Sequence, residues 1–426
     1  MFFLMLNLIM LTLALMARFR SPQWGYLPVA WFFISLLPCE LPWLFAFFHI
    51  ALAFPYLLAI AFSAKPLDSL SLVSLLIFAG TLLLWIYLHR KTFCADSNLQ
   101  AAFAQDSREY SQAEYPVDLG ITANPVSHYR DWLKPFSFAR PGVERLEDIA
   151  YGTHPRQHLD ILRLSEEKGP PARLRPVLLH VHGGGWIIGK KHQQGQPLLH
   201  YLAQQGWLCL DINYRLAPEH HLPDGLIDIK IAIAWARQNI KSLGGDPDFI
   251  AISGESAGGH LCALMALTAN DPELQPGFSE VDTSVQAAVP LYGIYDFTNS
   301  SNSVSGMPMR KFLTKYVMPR SFYQAPELWR KLSPLERIHT QAPPFFVLQG
   351  SSDCLTLMEE TRHFVEKLKA TSKAPVILAE IEGAQHGFEL FHGVRAEFTI
   401  VAIARFLRHH YAQARAQQRC GQESPP

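Results

Sequence analysis

The sequence predicts an α/β fold with a mostly parallel central sheet, preceded by transmembrane helices. From about residue 145 onward, short apolar runs alternate with longer segments of helical periodicity, which is typical of parallel strands joined by helices. Two glycine-rich motifs directly follow two of these runs. A chain of 426 residues also favours two structural units, since one core rarely grows beyond about 250 to 300 residues. Residues 1–89 contain only five charged side chains: Arg18, Arg20, Glu40, Lys65 and Asp68.

The N-terminal segment, residues 1–91, is predicted to be a multi-pass membrane segment. Residues 41–62 and 69–88 carry no charge, and at 22 and 20 residues each is long enough to span a hydrocarbon core about 30 Å thick. We interpret residues 2–16 as a first, uncleaved span, because basic residues follow them directly. Residues 24–37 form either an interfacial segment or a fourth span. The sequence therefore predicts about three transmembrane helices, with four as the alternative.

The basic residues around these spans predict the orientation of the chain. With three spans, Arg18 and Arg20 lie on one side of the membrane, Lys65 on the other, and Arg90 and Lys91 on the first side again. The excess of basic residues on the cytoplasmic side then predicts that everything after residue 91 is cytoplasmic. A fourth span would place the first and last basic pairs on opposite sides and remove this agreement.

The remaining chain divides into three further regions. Residues 92–144 are polar and interrupted by proline, which is typical of a linker or cap-like connector. Residues 145–413 carry the α/β pattern, and residues 414–426, rich in Gln, Arg and Pro, are predicted to be a disordered tail. The 37 basic and 37 acidic residues give no net charge, so nothing favours nucleic-acid binding. The six cysteines lack the spacing of a zinc site or disulfide framework.

The α/β region contains six candidate strands and one long irregular connection. The strands are predicted at residues 177–181, 207–212, 249–253, 287–291, 345–349 and 376–380. Helical periodicity follows in residues 223–241, 257–269 and 356–370. Residues 295–338 are too long for a tight connection, so they form either a helical lid or acyl-binding wall, or a plain crossover with surface helices. Parallel α/β sheets bind ligands at the carboxyl ends of their strands, where the motifs fall.

The first of these motifs predicts a nucleophile. The sequence Gly-Glu-Ser-Ala-Gly at residues 254–258 follows a candidate strand and precedes a candidate helix. A serine hydroxyl becomes a good nucleophile when a sharp strand-to-helix turn holds it beside a base, and small flanking residues allow that turn. We therefore predict that Ser256 attacks the substrate.

The second motif predicts an anion-binding loop. The sequence His-Gly-Gly-Gly-Trp at residues 182–186 follows another candidate strand. Glycines let backbone N–H groups approach a developing oxyanion, which is usually the largest electrostatic contribution in acyl transfer. We predict an oxyanion hole made by the N–H groups of Gly183, Gly184 and Ala257, the last because it directly follows the nucleophile.

Serine catalysis also needs a base and an acid that orients it. His386 follows the last candidate strand and is the predicted base, while Asp353 follows the preceding strand and is the predicted acid. Asp296 and Glu380 are the nearest acidic alternatives by strand-end position. The chain order of Ser256, Asp353 and His386 is the one expected of α/β-hydrolases.

Two histidines near the glycine loop raise the question of a metal. His180 and His182 alternate along a strand and its exit, but no third ligand has convincing spacing. We interpret His182 as a brace for the glycine loop, and we predict no metal site.

These motifs resemble the hormone-sensitive lipase-like branch of α/β-hydrolases, which includes many bacterial carboxylesterases and arylacetamide deacetylase. The resemblance covers about residues 145–410 and rests on residues 182–186, 211–219, 254–259, Asp353 and 386–388. It implies hydrolysis of esters with modest or hydrophobic acyl groups through an acyl-enzyme, without a cofactor. Glu255 is a departure, because that branch more often has Asp before the serine.

Together the residues and the resemblance predict a membrane-anchored serine carboxylesterase or lipase that acts on a small-molecule or lipid ester. An amide or N-acyl deacylase, or an acyltransferase, would use the same triad and stays as the alternative. A non-catalytic binding module is disfavoured, because every type of catalytic residue is present. The sequence does not indicate an oligomeric state.

Overall fold

The computed structural model describes residues 1–23, 25, 27–63, 66–106, 131–165, 174–300 and 306–423. Within these ranges, an N-terminal group of helices precedes a three-layer α/β region. The helices are α1 (Phe2–Arg18), α2 (Leu27–Glu40), α3 (Pro42–Ala61), α4 (Ser69–Thr92) and α5 (Cys94–Ala104). The first, third and fourth pack on one another through a small apolar cluster around Trp85. Inside this group the buried Asn7 bridges His49 and the backbone oxygen of Ser74.

Two helical segments of the described residues are long and apolar enough to cross a membrane, judged by length and composition alone. They are Pro42–Ala61 and Ser69–Ala104, with mean hydropathies of 2.1 and 2.2 over their most apolar windows. Only 11% and 17% of those windows are buried, whereas a core helix of a soluble protein is mostly buried. The helices α1 and α2 are shorter, at 17 and 14 residues. The predicted number of about three spans therefore stays a prediction.

The α/β region is built on one eight-stranded sheet. Its strands are β1 (Val143–Ala150), β2 (His158–Leu164), β3 (Arg175–Val181), β4 (Leu208–Ile212), β5 (Gly245–Glu255), β6 (Ala287–Leu291), β7 (Phe345–Gly350) and β8 (Val376–Ile381). Their order is β1-β2-β4-β3-β5-β6-β7-β8. The strands from β4 to β8 along this order pair in parallel, and β1 and β2 are antiparallel additions at one edge. All six predicted strands are present, and the mostly parallel sheet is confirmed.

The two edge strands were missed for a physical reason. Strand β1 lies at the edge of the sheet, and its residues are half-buried or exposed, so it needs no apolar run. Strand β2 carries His158, Asp160 and Arg163 among its apolar residues, so it contains no continuous apolar run. The sequence pattern of buried parallel strands therefore does not apply to either of them.

Helices cover both faces of the sheet. They are α6 (Gln196–Gln204), α7 (Leu222–Asn239), α8 (Ala257–Ala266), α9 (Gly306–Phe312), α10 (Pro326–Lys331), α11 (Met358–Thr371) and α12 (Val394–Glu423). One apolar core joins the sheet to α7, α8 and α11, and a second joins its other face to α5, α6 and α12. The result is a three-layer α/β arrangement in which the carboxyl ends of the parallel strands meet at one edge.

The chain beyond residue 413 is helical up to Glu423, where we expected a disordered tail. The helix α12 packs Ile403, Phe406, Leu407 and Tyr411 onto the sheet. From these buried residues the helix continues through the polar residues that follow. Residues 424–426 lie outside the described part. Packing of the first half of α12, which composition does not reveal, explains the difference.

Part of the predicted connector, residues 92–144, also belongs to the packed structure. The helix α5 lies within it and packs Leu99 and Phe103 against the sheet, with the rings of Phe103 and Phe346 5.2 Å apart. Residues 107–130, which include two of the four prolines behind the linker interpretation, lie outside the described residues. The helix α5 therefore belongs to a helical layer of the α/β region. It follows α4 directly in the chain.

The long connection between β6 and β7 is a helical excursion. It contains α9, a π-helical turn at Leu313–Val317 and α10. Leu313, Val317 and Trp329 are buried in the same core as the sheet, so the excursion is packed onto the domain. Its function as a lid or acyl-binding wall stays a prediction.

Glu360 in α11 is a buried carboxyl that holds the start of this excursion. Its Oε1 accepts the backbone N–H groups of Tyr295 (2.7 Å) and Asp296 (3.0 Å). Burial raises the pKa of Glu360 from 4.5 to about 7, although these hydrogen bonds oppose the rise. The folded state therefore keeps a proton that the unfolded state releases near pH 4.5. The free energy of unfolding consequently falls as pH rises between about 4.5 and 7, by about 3 kcal/mol in total.

Glu360→Gln is expected to remove this part of the pH dependence, because glutamine keeps the oxygen acceptor without the titrating proton. Thermal unfolding of the detergent-solubilised chain near pH 5 and pH 7.5 measures it, and the variant should gain stability over wild type only at the higher pH. Glu359→Gln, at the exposed neighbouring position, is the matched control. An equal difference between wild type and Glu360→Gln at both pH values would contradict the assignment.

Candidate active site

The register of the sheet brings the two glycine motifs together. In the parallel pair of β3 and β5, Val181 lies opposite Gly254, so both strands end at the same level. Strand β6 continues the alignment, with Leu291 opposite Glu255. The glycine loop and the serine turn therefore leave the sheet side by side at its carboxyl edge.

Ser256 stands on a strained turn between β5 and α8. Its φ of 55° and ψ of −117° lie outside the regions that L-residues ordinarily adopt. A Cβ at Gly258 would stand 2.0 Å from the oxygen of Val181, so only glycine lets the helix approach β3 this closely. The Ser256 N–H donates to the oxygen of Leu291 (3.0 Å), and the residue is only half-buried. The backbone therefore presents the hydroxyl at the sheet edge, as a nucleophile requires.

The glycine loop differs from the expectation at one of its three predicted donors. The Gly183 N–H donates to the side-chain Oε1 of Gln194 at 2.5 Å, so this group is engaged within the protein. In the part of the chain that the structure describes, the N–H groups of Gly184 and Ala257 make no such bond. Gly184 has φ of 108°, and a Cβ there would meet the oxygen of Ile188 at 2.2 Å. Of the three predicted donors in the described residues, Gly183 is thus bonded to a side chain and Gly184 and Ala257 are not, and the oxyanion hole itself stays a prediction.

The segment that follows β4 holds the glycine loop in place. The Oδ2 of Asp211 accepts the N–H of His192 and the amide of Gln196, both at 3.0 Å. The hydroxyl of Tyr214 donates to the oxygen of His182 (2.9 Å). These bonds fix the loop from both of its ends, which gives a structural role to the motif at residues 211–219.

The two histidines of this region are internal braces. His182 Nδ1 donates to the oxygen of Gly183 (2.7 Å), its ring stacks on Tyr214, and burial lowers its pKa to about 4, so it is neutral. His180 Nε2 lies 3.0 Å from the carboxylate of Glu255. Burial lowers the pKa of His180, but the charge of Glu255 outweighs this and leaves it raised. Glu255, the departure from the family pattern, therefore acts as the partner of a buried histidine.

The structure joins the predicted base and acid. His386 Nδ1 donates to Asp353 Oδ2 at 2.8 Å, and both residues are buried. The other carboxylate oxygen accepts the N–H groups of Leu355 (2.8 Å) and Thr356 (2.9 Å). Gln349 and the Thr356 hydroxyl donate to Oδ2. The aspartate is thus fixed by four further hydrogen bonds and in turn fixes the orientation of the imidazole.

The two alternative acids are engaged elsewhere. The carboxylate of Asp296 accepts the hydroxyls of Thr298 (2.8 Å) and Ser300 (3.1 Å). Glu380 is paired with Arg362, which donates from Nε at 2.7 Å. Among the three candidates, Asp353 is the one that contacts the histidine.

Comparisons with known proteins relate the chain to ester hydrolases. A family model described as BD-FAE matches residues 159–368. The probable carboxylic ester hydrolase LipM of Mycobacterium tuberculosis is 45% identical over 280 residues, covering 66% of this chain and 63% of LipM. Esterase LipC of the same organism is 46% identical over 270 residues, covering 63% of this chain and 66% of LipC. The chain is similar to carboxylic ester hydrolases. It spans slightly less than two thirds of the length of these two relatives.

Solved esterase structures share the fold. The thermophilic esterase Est2 of Thermogutta terrifontis, in its butyrate-bound form, is 26% identical with a TM-score of 0.52. The match covers 63% of this chain and 94% of Est2. A truncated carbohydrate esterase from gut microbiota, 19% identical, has a TM-score of 0.53, covers 64% of this chain and 99% of that one, and shows likeness of fold alone. These matches and the mostly parallel sheet fit the α/β-hydrolase fold, and together with the relatives above they support a carboxylesterase.

Several residues of the site were missed by sequence analysis. Gln194 bonds to Gly183, eleven residues away, and Gln349 bonds to Asp353, four residues away, but neither glutamine belongs to a motif that the sequence analysis used. Tyr292 packs its ring 4.5 Å from that of His386 and donates its hydroxyl to Glu389. Burial raises the pKa of Glu389, which favours its protonated form. Tyr292 directly follows β6, and this strand-end position is the signal that could have indicated it.

One cluster in the described residues has the composition of a metal site. Asp131, His392 and Glu397 offer atoms within 4.8 Å of one another. However, Arg140 lies 2.6 Å from Asp131, and His392 donates to Glu397 at 2.5 Å. Each of the three groups therefore has a partner within the protein, and the cluster carries no metal assignment.

Proposed function

We propose that this chain is a membrane-anchored serine carboxylesterase in which Ser256, His386 and Asp353 form the catalytic triad. The observation that carries the proposal is the hydrogen bond between His386 and Asp353 at the sheet edge where the strained Ser256 also stands. The backbone links the two sides of the site, because Ser256 bonds to Leu291 and the next residue, Tyr292, packs on His386.

The acylation step follows from these positions. The Oγ of Ser256 attacks the carbonyl carbon of the ester while His386 Nε2 takes the hydroxyl proton. Negative charge moves to the carbonyl oxygen, which the N–H groups of Gly184 and Ala257 stabilise at the N-terminus of α8. As the tetrahedral intermediate collapses, the C–O bond to the alcohol breaks and His386 gives its proton to the departing alkoxide. The products are a free alcohol and an acyl-enzyme on Ser256.

Deacylation repeats the chemistry with water. His386 takes a proton from a water molecule, the hydroxide attacks the acyl carbon, and the proton then returns to Ser256 as the carboxylic acid leaves. Throughout both steps, Asp353 stays ionised and stabilises the imidazolium that forms on His386. No cofactor is needed for either step.

The membrane anchor is proposed from the N-terminal helices. The helices α3 and α4 expose large apolar side chains along their length, including Phe47, Phe54, Leu76 and Leu83. Soluble proteins rarely expose an apolar surface of this extent. We further propose that the catalytic region is cytoplasmic. The basic Arg18, Arg20 and Lys91 line the same cavity as Ser352 and Glu382 of the catalytic region, which supports one common, basic side.

A substrate panel on washed membranes tests the function. We expect membranes containing the full chain to hydrolyse p-nitrophenyl esters of increasing acyl length, with the matched p-nitroanilides turned over far more slowly. The activity should remain with the membranes after an alkaline carbonate wash. Hydrolysis of the anilides without the esters would instead support the deacylase alternative, and transfer of the acyl group to an added alcohol in preference to water would support an acyltransferase. Release of the activity by the wash would contradict the anchor.

A further inference from the structure

The helix α2, which the sequence assigns to the membrane segment, packs on the loop that carries the catalytic histidine. The backbone N–H of Gln385 donates to Glu40 Oε1 (2.9 Å), and its side-chain Nε2 donates to the hydroxyl of Ser35 (3.1 Å). The thiol of Cys39 donates to the oxygen of Gly383 (3.1 Å). Three successive contacts thus tie one face of α2 to the residues just before His386.

A buried ion pair fixes the end of α2. Glu40 Oε2 lies 3.0 Å from Nη1 of Arg395, which also donates to the oxygen of Cys39 (3.0 Å). Both charged residues are 4% exposed. Glu40 is the only acidic residue before Asp68 in the sequence. A lone charge in an apolar segment marks a functional contact, and here the contact is with the catalytic region.

This anchoring places Phe32 of α2 beside the catalytic base. The ring of Phe32 meets that of His386 edge-on, with centroids 5.6 Å apart and an angle of 83° between the planes. Phe32 is half-buried, so part of its ring remains open. Its neighbours Phe33 and Ile34 are 73% and 48% exposed, and the rings of Phe32 and Phe33 lie 5.0 Å apart. An apolar surface therefore extends from the histidine to the outer face of α2.

The chemistry of the triad indicates which part of an ester meets this surface. His386 donates its proton to the alkoxide oxygen, so that oxygen must come within about 3 Å of Nε2. The carbonyl oxygen is held away from it, at the N–H groups of Gly184 and Ala257. On that side, Phe312 stands 3.4 Å from where a Cβ of Gly185 would be, next to the glycine loop. The alcohol part therefore lies on the side of His386, where Phe32 stands.

We infer that Phe32 of α2 forms the wall of the alcohol-binding part of the site, and that the substrates are esters of lipophilic alcohols. This inference rests on the proposed esterase function. Such an ester partitions into an apolar phase and reaches His386 along the apolar face of α2. The membrane segment then contributes to substrate recognition as well as to anchoring.

Two ester series measured on the solubilised full chain test the assignment. One series is acetates of alcohols from ethanol to decanol, and the other is ethyl esters of acids from acetate to decanoate, with released acid followed by titration. Phe32→Ala is expected to lower kcat/KM for decyl acetate relative to ethyl acetate by roughly tenfold, since lost apolar contact in a pocket costs about that much. The ethyl ester series should keep its wild-type profile. Phe32→Trp should change the preference only in the alcohol series.

Phe54→Ala is the control, because it removes the same side chain from an exposed position of α3 in the N-terminal segment. It should leave both series unchanged. Fluorophosphonate labelling of Ser256 counts the active sites in each variant, so a folding defect is corrected for directly. If Phe32→Ala and Phe54→Ala behave alike, or if Phe32→Ala changes the acyl series instead, the inference is wrong while the esterase function stands. If the wild-type chain hydrolyses neither series, the proposed function itself fails.

Discussion

The Ser256→Ala variant is expected to lose about 10⁶-fold in kcat for ester hydrolysis, because no other group can form the acyl-enzyme. The residual rate would come from the oxyanion donors and from substrate binding, which remain intact. Alanine accepts the same strained backbone as serine at φ of 55°, so the fold should be unaffected. Steady-state hydrolysis of a p-nitrophenyl ester measures the loss, and a fluorophosphonate probe should label wild type and not the variant.

Ser352→Ala is the control for this experiment. Ser352 is a half-buried serine in the loop directly before the catalytic aspartate, and its backbone N–H donates to the oxygen of Ala384 (2.9 Å) whatever the side chain. Removing its hydroxyl should leave hydrolysis and labelling at the wild-type level. Labelling of Ser256→Ala as strong as that of wild type would show that another residue is the nucleophile.

Asp353→Asn should lower kcat by about 10⁴-fold, with little change in the amount of folded protein. Asparagine keeps the shape of the side chain, and the backbone donors at Leu355 and Thr356 can still bond to its oxygen. Its amide nitrogen, however, would face His386 Nδ1 and favour the tautomer that carries its proton on the wrong nitrogen. The base could then no longer accept the proton of Ser256. The loss should appear in kcat rather than in KM.

Asp296→Asn separates this result from a general effect of removing a buried acid. Asp296 is also buried and stands after the neighbouring strand, but its carboxylate accepts the hydroxyls of Thr298 and Ser300. Its variant should keep kcat within the same order of magnitude as wild type. A larger loss for Asp296→Asn than for Asp353→Asn would reverse the assignment of the acid.

Much of the α/β region could be predicted because its signals are local. Strands β3 to β8 are apolar runs, and each was expected within a few residues of its position. The bond between His386 and Asp353 was expected because each residue follows a strand and parallel strands end at one edge. The turn at Ser256 needs small residues next to it in the chain, and the sequence displays them. The strands and the serine turn depend on neighbours within about five residues, and the bond between His386 and Asp353 follows from the adjacent ends of β7 and β8.

The glycine loop contains a contact that the local sequence pattern did not predict. The motif predicted three donors, but Gln194, eleven residues away, takes the N–H of Gly183. The glutamine is positioned by Gln196 and Asp211, whose contacts depend on how β4 and the loop pack together. A glycine in a motif indicates that the backbone can approach a ligand closely. The group to which the glycine N–H donates depends on tertiary packing.

The sequence by itself therefore determined the two glycine motifs, the order of the predicted triad and the apolar helices, because each needs only a local pattern of residue types. The contact of α2 with the loop before His386 could not be predicted from the sequence. Glu40 and Arg395 are 355 residues apart, and Phe32 and His386 belong to segments that composition assigns to different regions. Side chains so distant are brought together by burial and charge pairing in the folded state. That packing decides that the predicted membrane segment borders the proposed active site.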